Sequence, residues 1–346
     1  MSRILIFLNI FLLTISGSGG YFSPDIIYDN QENPQNSVEV VEDIDLELNP
    51  NELGRVMVLM LHSIGDEDGV WEISADSFRK DLEYLHNNDY YLVSLKDFVE
   101  GNMDVPAGKT PVVLTFDDGL NNNFNILEED GELKIDPNCA VGIMENFKKE
   151  NPDFNSTATF YIYGTNPFRQ PEYIEYKLNF LIENGYDVGN HTYNHADLSD
   201  ISNKDEIVYQ IGKQVELINE YIPDYKVDTF SIPFGLRPDE KLEDFMMEGN
   251  YEGTEYKNIA ALDVGSHPSY SWVDNRFDTY RIPRIRVSST EEFQESEDWY
   301  EYFENNHDKR YISDGIKDII TVPKDMEEFI NHDKVGSKEI FIYEKD

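Results

Sequence analysis

Apolar residues gather along this chain in short continuous runs, and between the runs they recur at helical spacing. "RVMVLMLHSI" (55–64) is apolar enough throughout to be a strand buried on both faces. In "SADSFRKDLEYLHNNDY" (74–90), Ser74 or Asp76 can cap a helix that carries Phe78, Leu82 and Leu85 on one face. "YLVSL" reads as a short strand, and "PVVLTF" and "TATFYIYG" as buried ones. "PEYIEYKLNFLIENGY" is a helix with Pro171 near its start and Gly185 just past its end. A strand end at "DVGNH", a helix at "KDEIVYQIGKQVELINEYI", then "VDTFSIPFG", "NIAALDVG" and "YRIPRIRV" complete the series. Strands alternating with helices predict an α/β fold with a mostly parallel sheet, open or closed into a barrel.

The ends of the chain break this pattern. Residues 1–20, "MSRILIFLNIFLLTISGSGG", have Arg3, an apolar stretch from Ile4 to Ile15 and a small-residue tail. That is the layout of a secretory signal peptide, too short for a typical membrane span. It predicts a secreted or envelope protein without stable membrane insertion, unless the segment is retained as an anchor. Residues 21–54 form an acidic linker rich in Asn, Pro, Asp and Glu, and residues 291–346 an acidic, aromatic extension. The core domain is therefore expected over 55–290.

Charge narrows the partners. The 346 residues carry a net charge of -41, spread along the chain, which excludes general nucleic-acid binding and opposes adhesion to anionic membranes. We read it as adaptation to high salt. Cys139 is the only cysteine, so no intrachain disulfide framework exists.

Two polar clusters fall at predicted strand ends, where α/β folds gather their chemistry. "VVLTFDDGLNNN" sets Asp117 beside Asp118, directly after a β-branched run. Adjacent like charges there suit a metal ion or a shared proton, or else a solvated turn. "HTYNH" places His191 and His195 four apart, a spacing that lets two imidazoles reach one ion.

"TFDDG" followed by "HTYNH", with "ATFYI" between them, resembles the polysaccharide deacetylase (NodB-homology) family, the fourth family of carbohydrate esterases. The resemblance implies a distorted (β/α) barrel of fewer than eight repeats that removes acetyl groups from polysaccharides with a divalent metal. By matching positions it implies Asp118, His191 and His195 as ligands, with Asp117 as general base. Zinc is the first choice of metal, with Co2+, Ni2+ or Mn2+ as alternatives set by affinity and availability. "SIPFG" matches the family segment in which the amide after a proline stabilises the oxyanion, which nominates Pro233 and Phe234.

The chain departs from the family in two places. Ser231 stands where an arginine usually orients the base; Arg284 of "YRIPRIRV" is the nominated replacement, a structural arginine being the alternative. The late strand that usually ends in the acidic histidine is missing. His62, at the end of the first buried run, would take that role if the barrel is circularly permuted, as in poly-N-acetylglucosamine deacetylases. Trp272 and Tyr270 would either line a sugar pocket or pack the barrel rim. The implied activity is hydrolysis of N-acetyl groups on N-acetylglucosamine glycans. The rivals are an O-acetyl xylan or glycan esterase and a catalytically inactive carbohydrate-binding wall protein.

Overall fold

In the computed structural model, residues 44–288, 290 and 294–345 are described; the signal-like segment and most of the acidic linker lie outside them. The long apolar runs become strands β1 (Met57–Leu61) and β3 (Thr110–Phe116), buried at every position. Strands β2 (Tyr90–Leu92), β4 (Thr159–Ile162), β5 (Asp187–Asn190), β6 (Thr229–Ser231), β7 (Ala260–Leu262) and β8 (Ile285–Arg286) complete an eight-stranded sheet. Its order is β7-β6-β5-β4-β3-β1-β8, with β2 also paired to β3, and every pairing is parallel.

The sheet curls. Ile282 bridges Leu262 at the far edge, while Ile285, three residues on, pairs with Leu59 of β1. Residues 282–286 thus touch both ends of the strand order, and the first strand neighbours the last. This is the expected distorted (β/α) barrel.

Helices α1 (Ala75–Asn87), α2 (Leu95–Glu100), α3 (Ala140–Glu150), α4 (Ile174–Glu183) and α5 (Lys204–Tyr221) follow strands in turn. The Ser74 hydroxyl caps α1 by accepting from the Ser77 amide, and buries Phe78, Leu82 and Leu85 on the predicted face. Strand alternation divides the apolar side chains into two cores. Met57, Leu59 and Leu61 face the helices, whereas Val58 and Val113 join Tyr161, Leu262 and Ile282 in a second cluster.

Two expectations need correction. The C-terminal segment is not peripheral: helix α6 (Glu295–Asn305) buries Tyr300 and Phe303, and Ile319–Pro323 pairs with Glu339–Tyr343. Tyr311, Ile320 and Val322 enter the second core, and Asn51 of the supposed linker bridges Ile312. Composition hid this, because the acidic residues coat one side of elements whose other side is apolar. Trp272 is 4% exposed in that same core. A Cβ at Gly101, whose φ is +69°, would come within 2.6 Å of its ring. It packs the barrel and takes no part in the site. Tyr270 is likewise engaged elsewhere, with the Arg55 guanidinium 3.5 Å from its ring centre.

Candidate metal and catalytic centre

Alternation along β3 aims Val113, Thr115 and, one step beyond the strand, Asp117 to the same side. Asp117 is 2% exposed and its amide donates to the Leu61 carbonyl at the end of β1. Three groups converge on its carboxylate. Arg284, fully buried, donates from both terminal nitrogens at 2.8 Å, one to each oxygen. The Ser231 hydroxyl lies 3.2 and 3.1 Å from the same two oxygens, and His62 Nε2 stands 4.0 Å from Oδ2.

Arg284 is itself held, its Nε by the Asp263 carbonyl at 3.0 Å and a terminal nitrogen by the Thr115 hydroxyl at 3.2 Å. The nominated arginine therefore reaches the Asp117 carboxylate from beside β8, and Ser231 meets the same carboxylate from the end of β6. A bidentate guanidinium fixes the orientation of a carboxylate as well as its charge. Burial opposes ionisation of Asp117, but Arg284, with His191 and His62, holds its carboxyl well below the usual range. Burial also lowers His62, against the pull of Asp117 and Asp118.

Asp118 turns away from Asp117 because its φ is +73°, and Gly119 follows at +53° beneath Ile162. Its Oδ1 lies 3.3 Å from His195 Nε2 and 3.6 Å from His191 Nε2. His191 Nδ1 is 2.8 Å from the Ser231 carbonyl, which can only accept. Nδ1 therefore carries the proton and Nε2 keeps its lone pair for the cluster. Burial pushes His191 down to about 4, which keeps that ring neutral.

The loop that carries both histidines is built for this. Thr192 and His195 have φ of +60° and +51°, a strained pair that needs fixed surroundings. Gln210 of α5 supplies them, its carbonyl oxygen accepting from the Tyr193 amide and its side chain from the Asn194 amide. Asn190 and Thr192 close the turn through the Thr192 and Ala196 amides.

Tyr163 and Arg169 are functional neighbours that motif reading missed. The Tyr163 ring sits 5.1 Å from that of His195, and Arg169 donates to the Tyr163 hydroxyl and the Asp118 carbonyl. Tyr163 had a signal, its place directly after a buried strand; Arg169 sits on an irregular turn at φ +54° and had none. Pro233 is buried, and Phe234 is 58% exposed with φ +60°, its ring edge-on to His195 at 4.6 Å. The Phe234 amide is in the first turn of a 3₁₀ helix, where N–H groups have no partner within the helix.

The donor set fits a divalent ion. One carboxylate oxygen and two imidazole nitrogens lie within 4.8 Å of one another. Ligands about 2.05 Å from a tetrahedral ion stand about 3.3 Å apart, near the distances seen here. The fold and this cluster define a parallel α/β barrel with an Asp-His-His centre beside a buried, arginine-held carboxylate.

Comparison with known proteins agrees with that class. Residues 104–247 match the family model "Polysaccharide deacetylase". Over 162 residues the chain is 28% identical to the peptidoglycan-N-acetylglucosamine deacetylase of Bacillus cereus, covering 45% of this chain and 50% of that protein. The chain thus spans about half the length of that curated relative. Among solved structures, Streptococcus pyogenes deacetylase PplD, in complex with acetate, superposes with a TM-score of 0.50 at 16% identity, covering 68% of this chain and 92% of that one. BC0361, a polysaccharide deacetylase from Bacillus cereus, gives 0.51 at 20%, covering 71% and 68%. These two likenesses are of fold. Residues 104–247 of the chain are thus similar to the polysaccharide deacetylase family.

Proposed function

We propose that this protein is a secreted, metal-dependent hydrolase that removes N-acetyl groups from N-acetylglucosamine-containing glycans. One observation carries the reading: an ionised, buried carboxylate, clamped by Arg284 and Ser231, borders an Asp-His-His ligand set on one side and a histidine on the other. A structural ion pair has no need of that neighbourhood.

Asp118, His191 and His195 would hold the divalent ion, zinc first, which when bound activates a water and polarises the acyl oxygen. Asp117 is the base that accepts the water proton as oxygen attacks the acyl carbon. Arg284 and Ser231 keep that carboxylate aligned and ionised until it does so. The Phe234 amide faces the developing oxyanion. The C–N bond then breaks, His62 delivers a proton to the leaving nitrogen, and acetate departs. His62 Nε2 lies 4.0 Å from Asp117 Oδ2, so the proton it delivers would be the one Asp117 took from the water. The pairing of β1 with β8 supports the permuted reading, in which His62 would take the role of a late-strand histidine.

Acetate release from an acetylated glucosamine oligomer tests this, assayed in high salt on metal-stripped, zinc-restored and zinc-restored Asp117→Asn protein. Acetate should appear only with metal and vanish in the variant. Release from acetylated xylan alone would turn the reading to an O-acetyl esterase. No release from either would leave a glycan-binding protein.

A further inference from the structure

Of the large hydrophobic side chains exposed among the described residues, the two most open to water are Phe234 at 58% and Trp71 at 48%. Both touch histidines of the centre, Phe234 against His195 and Trp71 against His62 at 4.9 Å between ring centres. Leaving an indole half in water costs hydrophobic free energy, and such exposure usually marks a contact surface.

Trp71 is also held still. The Arg286 guanidinium lies 4.7 Å from its ring centre, and Glu295 at the start of α6 pairs with Arg286 at 2.5 Å. The loop around it is closed by the short parallel pair Ser63–Gly65 and Glu72–Ser74, with the Ser63 amide donating to the Trp71 carbonyl. The Ser63 hydroxyl bonds Glu72, and Asp68 accepts from the Ser74 amide and the Ser77 hydroxyl. The indole is thus backed by a cation and stands against His62 with the two ring planes 65° apart, and its 48% exposed part is a fixed apolar surface beside the nominated acid.

We propose that Trp71 is a stacking platform for the pyranose ring next to the one being deacetylated, and so selects polymers over single acetylated sugars. The inference rests on the deacetylase reading. A rigid aromatic surface binds at low entropic cost, and its second face is already occupied, so one ring is accepted from one side. Phe234 stands against His195 as Trp71 stands against His62, so an exposed aromatic ring borders each of the two histidines. Arg286 is already paired to Glu295, so the platform calls for an uncharged ring and not an anionic one.

Steady-state kinetics on N-acetylglucosamine monomer, dimer and pentamer test it with zinc-loaded wild type, Trp71→Phe and Trp71→Ala, each checked for an unaltered Tm. Wild-type kcat/KM should rise with chain length. Trp71→Ala should lose at least tenfold on the pentamer, mostly through KM, and Trp71→Phe should recover most of it. A wild-type KM in Trp71→Ala, or a loss confined to kcat, would overturn the platform, the latter leaving Trp71 only as a support for His62. If wild type released no acetate at all, the deacetylase reading would fail; calorimetric binding of the pentamer to wild type and Trp71→Ala would still decide the platform. Equal binding would refute it, and binding lost in the variant would sustain it.

Discussion

Arg284 is the residue on which the centre turns. It has no solvent exposure, and it forms a bidentate ion pair with the carboxylate of Asp117. Removing one partner of a buried pair leaves an uncompensated charge, typically worth about 3–5 kcal/mol. We expect Arg284→Met to lower Tm markedly and kcat/KM by about 10²- to 10⁴-fold, with Arg284→Lys intermediate in both. Unchanged acetate release in Arg284→Met would remove the arginine from the mechanism. At this scale the sequence was informative where a residue type is rare in its setting, as with two adjacent aspartates or two close histidines. It was silent where the role comes from a distant element. Arg284 could be nominated only because the resemblance left an arginine missing at Ser231, and nothing around Trp272 says that Gly101 will lie against its ring.

Elements supply the fixed surroundings. Helix α5 reaches the loop of the two histidines through Gln210, which accepts from two successive backbone amides, those of Tyr193 and Asn194, and is itself braced by Glu206. Supports of this kind commonly tune metal affinity by about 10- to 100-fold. Gln210→Ala should weaken zinc binding within that range in a competition titration with a chelating dye; unchanged affinity would show that the loop keeps its shape alone. Between α1 and α6 lies a different device. Burial, then Glu297 and Asp68, push Asp81 up to about 8. A carboxyl raised in the folded state keeps a proton that the unfolded chain releases, so stability is full below about pH 4 and declines as pH rises toward 8. Asp81→Asn should therefore raise Tm by several degrees at pH 8 and leave it nearly unchanged at pH 4. Equal shifts at both pH values in differential scanning calorimetry would contradict this. The alternation of strands and helices was legible because its periods are local. The two hairpins at Ile126–Ile135 and Glu248–Lys257, mostly polar although Ile126 and Tyr256 reach the core, are too short to carry such a period and were missed.

For the molecule as a whole, a net charge of -41 means that folding gathers like charges that the unfolded chain keeps apart. Salt shortens the range of that repulsion from about 10 Å at 0.1 M to about 3 Å at 1 M. Tm should rise steadily between 0.1 and 2 M NaCl, and equal values at the two ends would remove salt adaptation as an account of the charge. The barrel class was readable from the chain because its strands are apolar throughout. The closure was not, because a two-residue strand following an isolated bridge leaves almost no pattern.

That closure has a consequence in time. Ligands and base are specified before residue 196, but the cation that keeps the base charged comes from residue 284, on the final strand of the sheet. A chain still emerging from the ribosome holds Asp118, His191 and His195 yet has no aligned Asp117 carboxylate. Competence would arrive in one step, when the last strand docks against the first. The order of the polypeptide itself would then act as a safety catch, keeping the centre incomplete until the chain has finished folding.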